Sequence, residues 1–486
     1  MRSHFLAFFC LVAALGYAGW LAARFSPEPG GADASGYLNS GRLLAEGRLV
    51  TELRIAPVLK NAWPPDFQPL GFQVGWLTTR LVPVYPVGLP LHLAAVGAVC
   101  GWHWGPYVVG IGGALATLGL CYLLARELGL AQSVALMVTG ALASNAVFMF
   151  GSIQPLSDTL ATFWCAAAVW LALRARRGPV GWSVWCGLAF AVAVLVRPTD
   201  VLLLPVLVVL LADWKRLAVV AVAGMPFALA LGWYQYHLYG NPLRSGYGEV
   251  SVLFSRHYFW PTMRQFAIWL SRTLPFGVAG VMVSPFLLRG GRRREVLALL
   301  MWVAAFAGFY AFYDYSRQDW PFLRFIEPAF PAMLLLGGLG LDQVGACIKA
   351  AGRARATARI AAGIIAITVV SNVSFGVPDG RKHDRMYVEA RDWARSNLPP
   401  DAMIVCSLFS GVLYFDAGHP ILRWDIVAAT AGPKYLDAMH RAGQPVFAVL
   451  DTSELRDPRM NQIPGKWKKL ADFESASAWV IMPVEN

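Results

Sequence analysis

Long apolar segments separated by short basic turns constrain the fold of this chain more than any other feature. A helix that crosses the roughly 30 Å hydrocarbon core of a bilayer needs about 20 predominantly apolar residues. Eleven segments meet or approach that length, namely residues 5–23, 107–125, 133–150, 159–173, 182–196, 201–211, 217–233, 276–288, 296–312, 328–344 and 360–373. The sequence therefore predicts a polytopic α-helical membrane protein with about 11 transmembrane helices.

Basic residues occupy alternate turns between these segments. Clusters at residues 126, 174–177, 213–216, 289–294 and 349–359 each follow an even number of segments. Because positively charged short loops stay on the cytoplasmic side, we expect the N-terminus inside and the C-terminus outside the cytoplasmic (inner) membrane. The net charge of +12 follows from these turns and does not require a nucleic-acid partner. Only 14% of the residues are charged, against about 25% in soluble domains, which excludes a soluble fold.

Two regions lie outside this pattern. Residues 81–99 are apolar, but they contain three prolines, and a crossing here would reverse the side of every later basic turn. We place them along the membrane surface, in a first outer loop of about residues 24–106. Beyond Ser374 the helix-like "RMYVEARDWARSNL" alternates with the strand-like "DAMIVCSL", "PVFAVLDT" and "AWVIMPV". The sequence thus predicts a transmembrane domain at 1–375 and a small extracytoplasmic α/β domain at 376–486.

Polar residues near the predicted outer surface carry the functional information. No HExxH, Walker A, GxSxG or dinucleotide-binding GxGxxG motif occurs, so metalloprotease, NTPase and serine-hydrolase chemistry has no motif support. Asp33 precedes a helix-like segment in the first outer loop, and Asp158 begins the outer end of a predicted span. Each carboxylate has a structural alternative: Asp33 as a helix N-cap, and Asp158 as a favourable charge at a helix N-terminus.

Two arginines lie at the same predicted surface. Arg197 is at the outer apex of a helical hairpin, where Pro198 breaks the helix, and Arg324 precedes the tenth apolar segment. The planar guanidinium fork is well suited to bind phosphate. The structural alternative pairs each arginine with the acid three residues later, Asp200 or Glu327.

The order of several motifs resembles the GT-C superfamily of membrane glycosyltransferases, in the branch of protein mannosyltransferases and bacterial aminoarabinose transferases (glycosyltransferase family 39-like). After the outer-loop Asp33, the motifs are "GYLNSGRLLAEGRL", "YPVGLPLHLAAVG", "LCYLLARELG", "QPLSDTLATF", "GLAFAVAVLVRPTD", "LRSGYGE" and "LRFIEPAFPAMLLL". The resemblance covers most of residues 5–373, and the C-terminal domain matches the family only in its position.

The resemblance implies transfer of a sugar from a polyprenyl-phosphate carrier to an acceptor on the outer face of the membrane. The family's catalytic base maps onto Asp33, but the second acid found beside it in many relatives is replaced here by Ala34 and Ser35. Because divalent metals prefer several oxygen ligands, we expect no metal and no other cofactor.

Other candidate residues follow from the chemistry of a lipid-phosphate leaving group and a sugar. The donor phosphate needs cationic partners, for which the candidates are Arg197 and Arg324, with Arg54 and Lys60 from the first loop as weaker ones. Further candidates for substrate contacts are Tyr37, Tyr85, Asp158, Tyr247 and Glu249.

Two other classes of function stay open at the sequence level. A transporter or flippase of lipid-linked sugars would also need arginines, but it predicts charges near the bilayer midplane rather than at one face. If Asp33 only caps a helix, the chain can instead be interpreted as a non-catalytic membrane assembly protein. The sugar, a hexose or a pentose, and the acceptor, a lipid, polysaccharide or protein, are not specified by the sequence.

Overall fold

The structure, a computed structural model, describes residues 2–59, 61–76, 80–350, 354–377 and 379–483. The chain forms two compact units. The helical unit comprises Met1–Phe25, Tyr107–Leu231 and Glu249–Pro378, and the mixed unit comprises Ser26–Pro106, Gly232–Gly248 and Asp379–Asn486.

Helices account for all eleven predicted apolar segments. The α-helices that carry these segments are Arg2–Arg24, Gly105–Glu127, Gln132–Ala143, Ala146–Ser152, Ser157–Arg177, Gly181–Val196, Leu204–Leu211, Trp214–Tyr239, Pro275–Leu287, Arg293–Tyr310, Phe330–Ala350 and Ala354–Val373. Two 3₁₀ segments, Pro198–Leu203 and Trp320–Ala329, lead directly into α-helices. An additional helix, Phe259–Thr273, was not among the predicted segments.

Two bends interrupt the helical pattern. Gln132–Ala143 and Ala146–Ser152 meet at 64°, and Asn145 caps the second helix by accepting a hydrogen bond from the backbone N–H of Phe148. Arg256–Thr273 and Pro275–Leu287 meet at 114°, with proline at the start of the second helix. Proline suits the first turn of a helix because the backbone N–H it lacks has no intrahelical partner there.

The number of membrane crossings stays a prediction. Among the described residues, three helices are long and apolar enough to cross on their own: Gly105–Glu127, Trp214–Tyr239 and Trp320–Gly345. The count becomes up to five if each bent pair forms one span.

The core of the helical unit consists mainly of alanine, leucine and valine. Small residues bring some helices into close contact: a Cβ added to Gly280 would lie 2.2 Å from the backbone nitrogen of Gly337. Any larger side chain at Gly280 would therefore force the helices Pro275–Leu287 and Phe330–Ala350 apart, in keeping with the use of small residues between membrane helices.

The mixed unit contains two β-sheets. The first loop forms an antiparallel sheet in the order β1–β3–β2, and the C-terminal region forms a five-stranded sheet in the order β5–β4–β6–β8–β7. The strands are β1 Thr51–Glu52, β2 Phe72–Val74, β3 Arg80–Pro83, β4 Met403–Cys406, β5 Ile421–Arg423, β6 Val446–Asp451, β7 Lys466–Phe473 and β8 Ala476–Met482. Strand β4 runs parallel to β5 and β6, whereas β8 runs antiparallel to β6 and β7. The α-helices of this unit are Asp33–Ala45, Gly88–Cys100, Gly380–His383, Arg385–Asn397, Ser410–Phe415, Gly432–Arg441 and Thr452–Leu455.

The C-terminal α/β arrangement has the elements expected from the sequence. The three strand-like segments form β4, β6 and β8, while β5 and β7 were not predicted. The segment 81–99 divides into part of β3 and the helix Gly88–Cys100, whose 13 residues fall short of the roughly 20 needed for a crossing.

The first loop belongs to a different unit from the domain in which the sequence analysis places it. The sequence places residues 24–106 in the transmembrane domain, whereas Ser26–Pro106 forms one compact unit with Asp379–Asn486. The backbone N–H of Leu70 donates to the Ser410 hydroxyl at 2.9 Å, and the rings of Phe72 and Phe415 lie 4.6 Å apart. Apolar residues of the loop thus complete the core of the C-terminal domain.

Candidate functional site

A buried polar cluster forms in the helical unit around the break after helix Gly181–Val196. Arg197 has an extended backbone, with φ −142° and ψ 112°, and Pro198 then starts a 3₁₀ turn. Proline disfavours the helical conformation for the residue before it, so the sequence "RP" ends the helix at this point. Arg197 is buried in the protein, with only 8% of the residue's surface exposed.

Arg197 binds three groups that come from other segments. Its Nη1 atom donates to Oδ1 of Asp158 at 2.9 Å, and its Nη2 atom donates to the Tyr310 hydroxyl at 3.0 Å. Nη1 also donates to the carbonyl of Arg324 at 3.3 Å. On the other side of the carboxylate, Nη1 of Arg324 lies 3.6 Å from Oδ2 of Asp158. One buried carboxylate therefore lies between two guanidinium groups.

The two alternative ion pairs considered from sequence are wrong. Asp200 is fully buried, and within the described part of the chain Arg197 forms an ion pair with Asp158 instead. The carboxylate of Glu327 accepts hydrogen bonds from the hydroxyls of Thr159 and Thr162. Both arginines instead form ion pairs with Asp158, at the start of helix Ser157–Arg177. The helix dipole also favours a carboxylate at this position.

The two arginines share the carboxylate of Asp158, and Arg197 also interacts electrostatically with the buried carboxyl groups of Asp200 and Glu327. Aromatic rings support the arginines: the guanidinium carbon of Arg197 lies 5.7 Å from the centre of the Tyr310 ring, and that of Arg324 lies 5.3 Å from the centre of the Phe325 ring. Such faces stabilise cations when water is excluded. With its planar donor groups, this arrangement can bind a phosphate or a similar oxyanion.

Sequence reasoning missed Tyr310, Thr159 and Thr162. Tyr310 is buried at the end of helix Arg293–Tyr310 and also lies 2.9 Å from the hydroxyl of Thr199. It occurs in the aromatic-rich stretch "AFAGFYAFYDY", where no pattern distinguishes one tyrosine from its neighbours.

Asp33 lies in the mixed unit, at the start of helix Asp33–Ala45. The N-cap position belongs to Ala32, so the interpretation of Asp33 as the N-cap is wrong. Asp33 is the first residue of the helix, and a carboxylate in this turn is still stabilised by the helix dipole.

Three predicted substrate-contact tyrosines lie together near this helix start. The rings of Tyr37 and Tyr85 are 4.9 Å apart, and the ring of Tyr247 meets Tyr85 edge-on at 5.8 Å. Tyr37 is four residues after Asp33, on the same helix face. A Cβ added to Gly36 would lie 2.2 Å from the Tyr85 ring, so glycine is required for this contact.

The remaining predicted residues lie elsewhere. The guanidinium of Arg54 lies 4.4 Å from the centre of the Tyr414 ring and donates to the Tyr414 carbonyl, which gives Arg54 a structural role in the mixed unit. Lys60 lies outside the described residues. Glu249 is exposed in the helical unit and accepts a hydrogen bond from Ser251 at 3.4 Å.

The environment of Asp66, in the first loop, raises the pKa of its carboxyl group. The Tyr435 hydroxyl donates to its carboxylate at 3.0 Å. Burial raises the pKa of Asp66, and the hydrogen bond from Tyr435 offsets part of that rise.

In the part of the chain that the structure describes, no three His, Cys, Asp or Glu side chains group so as to hold a metal ion.

The architecture matches solved glycosyltransferase structures over nearly the full chain. ArnT from Cupriavidus metallidurans bound to undecaprenyl phosphate superposes with a TM-score of 0.62 at 17% identity, covering 99% of this chain and 98% of that one. The chain has the GT-C fold.

Other structures with the GT-C fold are also similar. The Archaeoglobus fulgidus oligosaccharyltransferase in its apo form gives a TM-score of 0.63 at 13% identity, covering 91% of this chain and 69% of that one. Arabinofuranosyltransferase AftD from Mycobacteria gives a TM-score of 0.56 at 15% identity, covering 98% of this chain and 40% of that one. No family model matches the sequence, and no curated protein shows significant sequence similarity to it.

Proposed function

We propose that this protein is a GT-C glycosyltransferase that moves a sugar from a polyprenyl-phosphate donor to an acceptor on the outer face of the cytoplasmic membrane. The main support is the full-length similarity to ArnT, a structure that contains undecaprenyl phosphate. A structure of archaeal oligosaccharyltransferase AglB with dolichol-phosphate, at a TM-score of 0.59 and 13% identity, gives further support for a lipid-phosphate ligand.

In this proposal Arg197 and Arg324 bind the phosphate of the donor. The bond between the anomeric carbon and the phosphate oxygen breaks during transfer, and its electron pair stays on the lipid phosphate. Two guanidinium groups held in a buried site stabilise this charge more strongly than exposed arginines would, because water screens them less. Asp158 keeps the two cations together when no phosphate is bound.

Asp33 is the general base. An acceptor hydroxyl forms the new bond to the anomeric carbon and passes its proton to the Asp33 carboxylate. A positioned base of this kind contributes about 100- to 10,000-fold to the rate. The Tyr37, Tyr85 and Tyr247 cluster lies near this carboxylate within the mixed unit and supplies aromatic faces and hydroxyls for a sugar or acceptor.

The proposed reaction can be tested with the purified full-length protein in liposomes. We expect radiolabelled sugar to leave its polyprenyl-phosphate carrier when a membrane extract is supplied as the source of acceptor. The released lipid should be polyprenyl phosphate. If the labelled donor crosses the liposome membrane intact and is never cleaved, the protein is a transporter. If the protein neither cleaves nor moves the donor, an assembly role is favoured.

A further inference from the structure

Glu327 is a fully buried acid that the proposed mechanism does not use. It lies in the 3₁₀ segment Trp320–Ala329, three residues after Arg324. Its Oε1 atom accepts hydrogen bonds from the hydroxyls of Thr159 at 3.2 Å and Thr162 at 3.4 Å. Burial of a carboxylate is costly, so a fully buried glutamate with two specific donors has a definite structural or functional role.

The two threonines connect Glu327 to Asp158. Both belong to the first turns of helix Ser157–Arg177, which also carries Asp158, and the Thr162 hydroxyl shares its single hydrogen between the Asp158 carbonyl at 2.9 Å and Glu327. Glu327 thus joins the segment that carries Arg324 to the helix that carries the shared carboxylate. The ion pair of Arg324 with Asp158 measures 3.6 Å, longer than a direct hydrogen bond, and so fixes their separation only loosely.

Close packing holds this connection in place. A Cβ added to Gly151 would lie 3.0 Å from the Thr159 hydroxyl oxygen and 3.1 Å from Oε2 of Glu327. Glycine therefore leaves just enough space for the carboxylate and the hydroxyl to meet. An alanine at this position would push them apart without removing any polar group.

We propose that Glu327 is a positioning residue that sets the distance between Arg324 and Asp158, and through it the geometry with which the arginine pair binds a lipid phosphate. This inference rests on the proposed function. The side chain acts as a hydrogen-bond acceptor for Thr159 and Thr162, and its negative charge is not required.

Affinity for undecaprenyl phosphate, measured on the purified full-length protein, tests the inference. Glu327→Leu removes the acceptor and should weaken binding by about 10-fold or more, the scale of the cost of a buried hydroxyl left without its acceptor. Glu327→Gln keeps a carbonyl acceptor for both threonines, so no hydroxyl is left unpaired and binding should stay within about twofold of wild type. Gly151→Ala should weaken binding as Glu327→Leu does.

The control is Gly119→Ala, at a helical glycine where an added Cβ would meet nothing within 4 Å. This variant should bind like wild type. Equal affinity in wild type, Glu327→Leu and Gly151→Ala would overturn the inference, and so would a Glu327→Gln variant as weak as Glu327→Leu. If Glu327→Leu does not fold, Gly151→Ala and Glu327→Gln decide the question. Failure of the wild type itself to bind undecaprenyl phosphate would overturn the proposed function together with this inference.

Discussion

Replacement of Arg197 by lysine separates its charge from its geometry. The arginine uses one nitrogen for Asp158 at 2.9 Å and the other for Tyr310 at 3.0 Å. Lysine carries its charge on a single nitrogen and has no planar fork, so it cannot reproduce both contacts and bind a phosphate as well. We therefore expect Arg197→Lys to fold and insert normally but to bind the donor poorly.

The size of the effect follows from the bonds that are lost. A hydrogen bond to a charged group contributes about 1.5–3 kcal/mol, and each 1.4 kcal/mol corresponds to about tenfold in affinity. Loss of one guanidinium–phosphate bond thus weakens donor binding by about 10- to 100-fold. Global stability should change less, because Asp158 still has Arg324 within 3.6 Å and the new lysine can pair with it.

The assay is equilibrium binding of labelled polyprenyl phosphate, with the thermal unfolding midpoint measured in parallel. Arg317→Lys is a matched control, because Arg317 also pairs with an aspartate, Asp314, and lies 4.9 Å from a tyrosine ring, but 49% of its side chain is exposed. The control should bind like wild type. Unchanged donor affinity in both Arg197→Lys and Arg197→Ala would refute the reasoning and leave Arg197 as a structural partner of Asp158.

Three further predictions concern the base, the metal and the topology. Asp33→Asn should insert and bind donor normally but transfer sugar at least about 100-fold more slowly, and near-normal transfer would show that the base lies elsewhere. Because Ala34 and Ser35 replace a second acid, the transfer rate should survive exhaustive chelation, whereas a loss reversed by manganese or magnesium would contradict this expectation. Reporter fusions after Gly105 and Ser374 should both lie outside the membrane, and an internal signal at Gly105 would disprove the arrangement of the first loop.

Helix positions were predictable because apolar length is a strong and local signal. Every apolar segment identified in the sequence falls on helices, yet the bends at 64° and 114° were missed. Helix Phe259–Thr273 was missed as well, since its apolar face is diluted by polar residues such as Arg264 and Arg272 when hydropathy is averaged. Strands β1, β2 and β3 have only two to four residues, too few to show an alternating pattern.

The arginines of the candidate site were predictable, but their partners were not. Sequence spacing favours a partner three residues away, which pointed to Asp200 and Glu327. The actual partner of Arg197 is Asp158, 39 residues earlier, brought near by the packing of helices Ser157–Arg177 and Gly181–Val196. Such a contact depends on tertiary structure, for which a single sequence gives no local signal.

Packing of the first loop with the C-terminal sheet has a consequence for biosynthesis. The loop is complete when Pro106 leaves the ribosome, but its packing partners in the C-terminal domain begin only at Asp379, about 270 residues later. At roughly 5–20 residues per second, synthesis up to these C-terminal partners takes about 15–55 s, although Gly232–Gly248, which belongs to the same unit, is made earlier. During this time apolar residues such as Phe67 and Phe72, fully or almost fully buried in the finished protein, are exposed to aggregation and proteolysis. A truncation before the C-terminal domain would make this transient exposure permanent. The loop therefore depends on the last quarter of the chain for protection from aggregation and proteolysis.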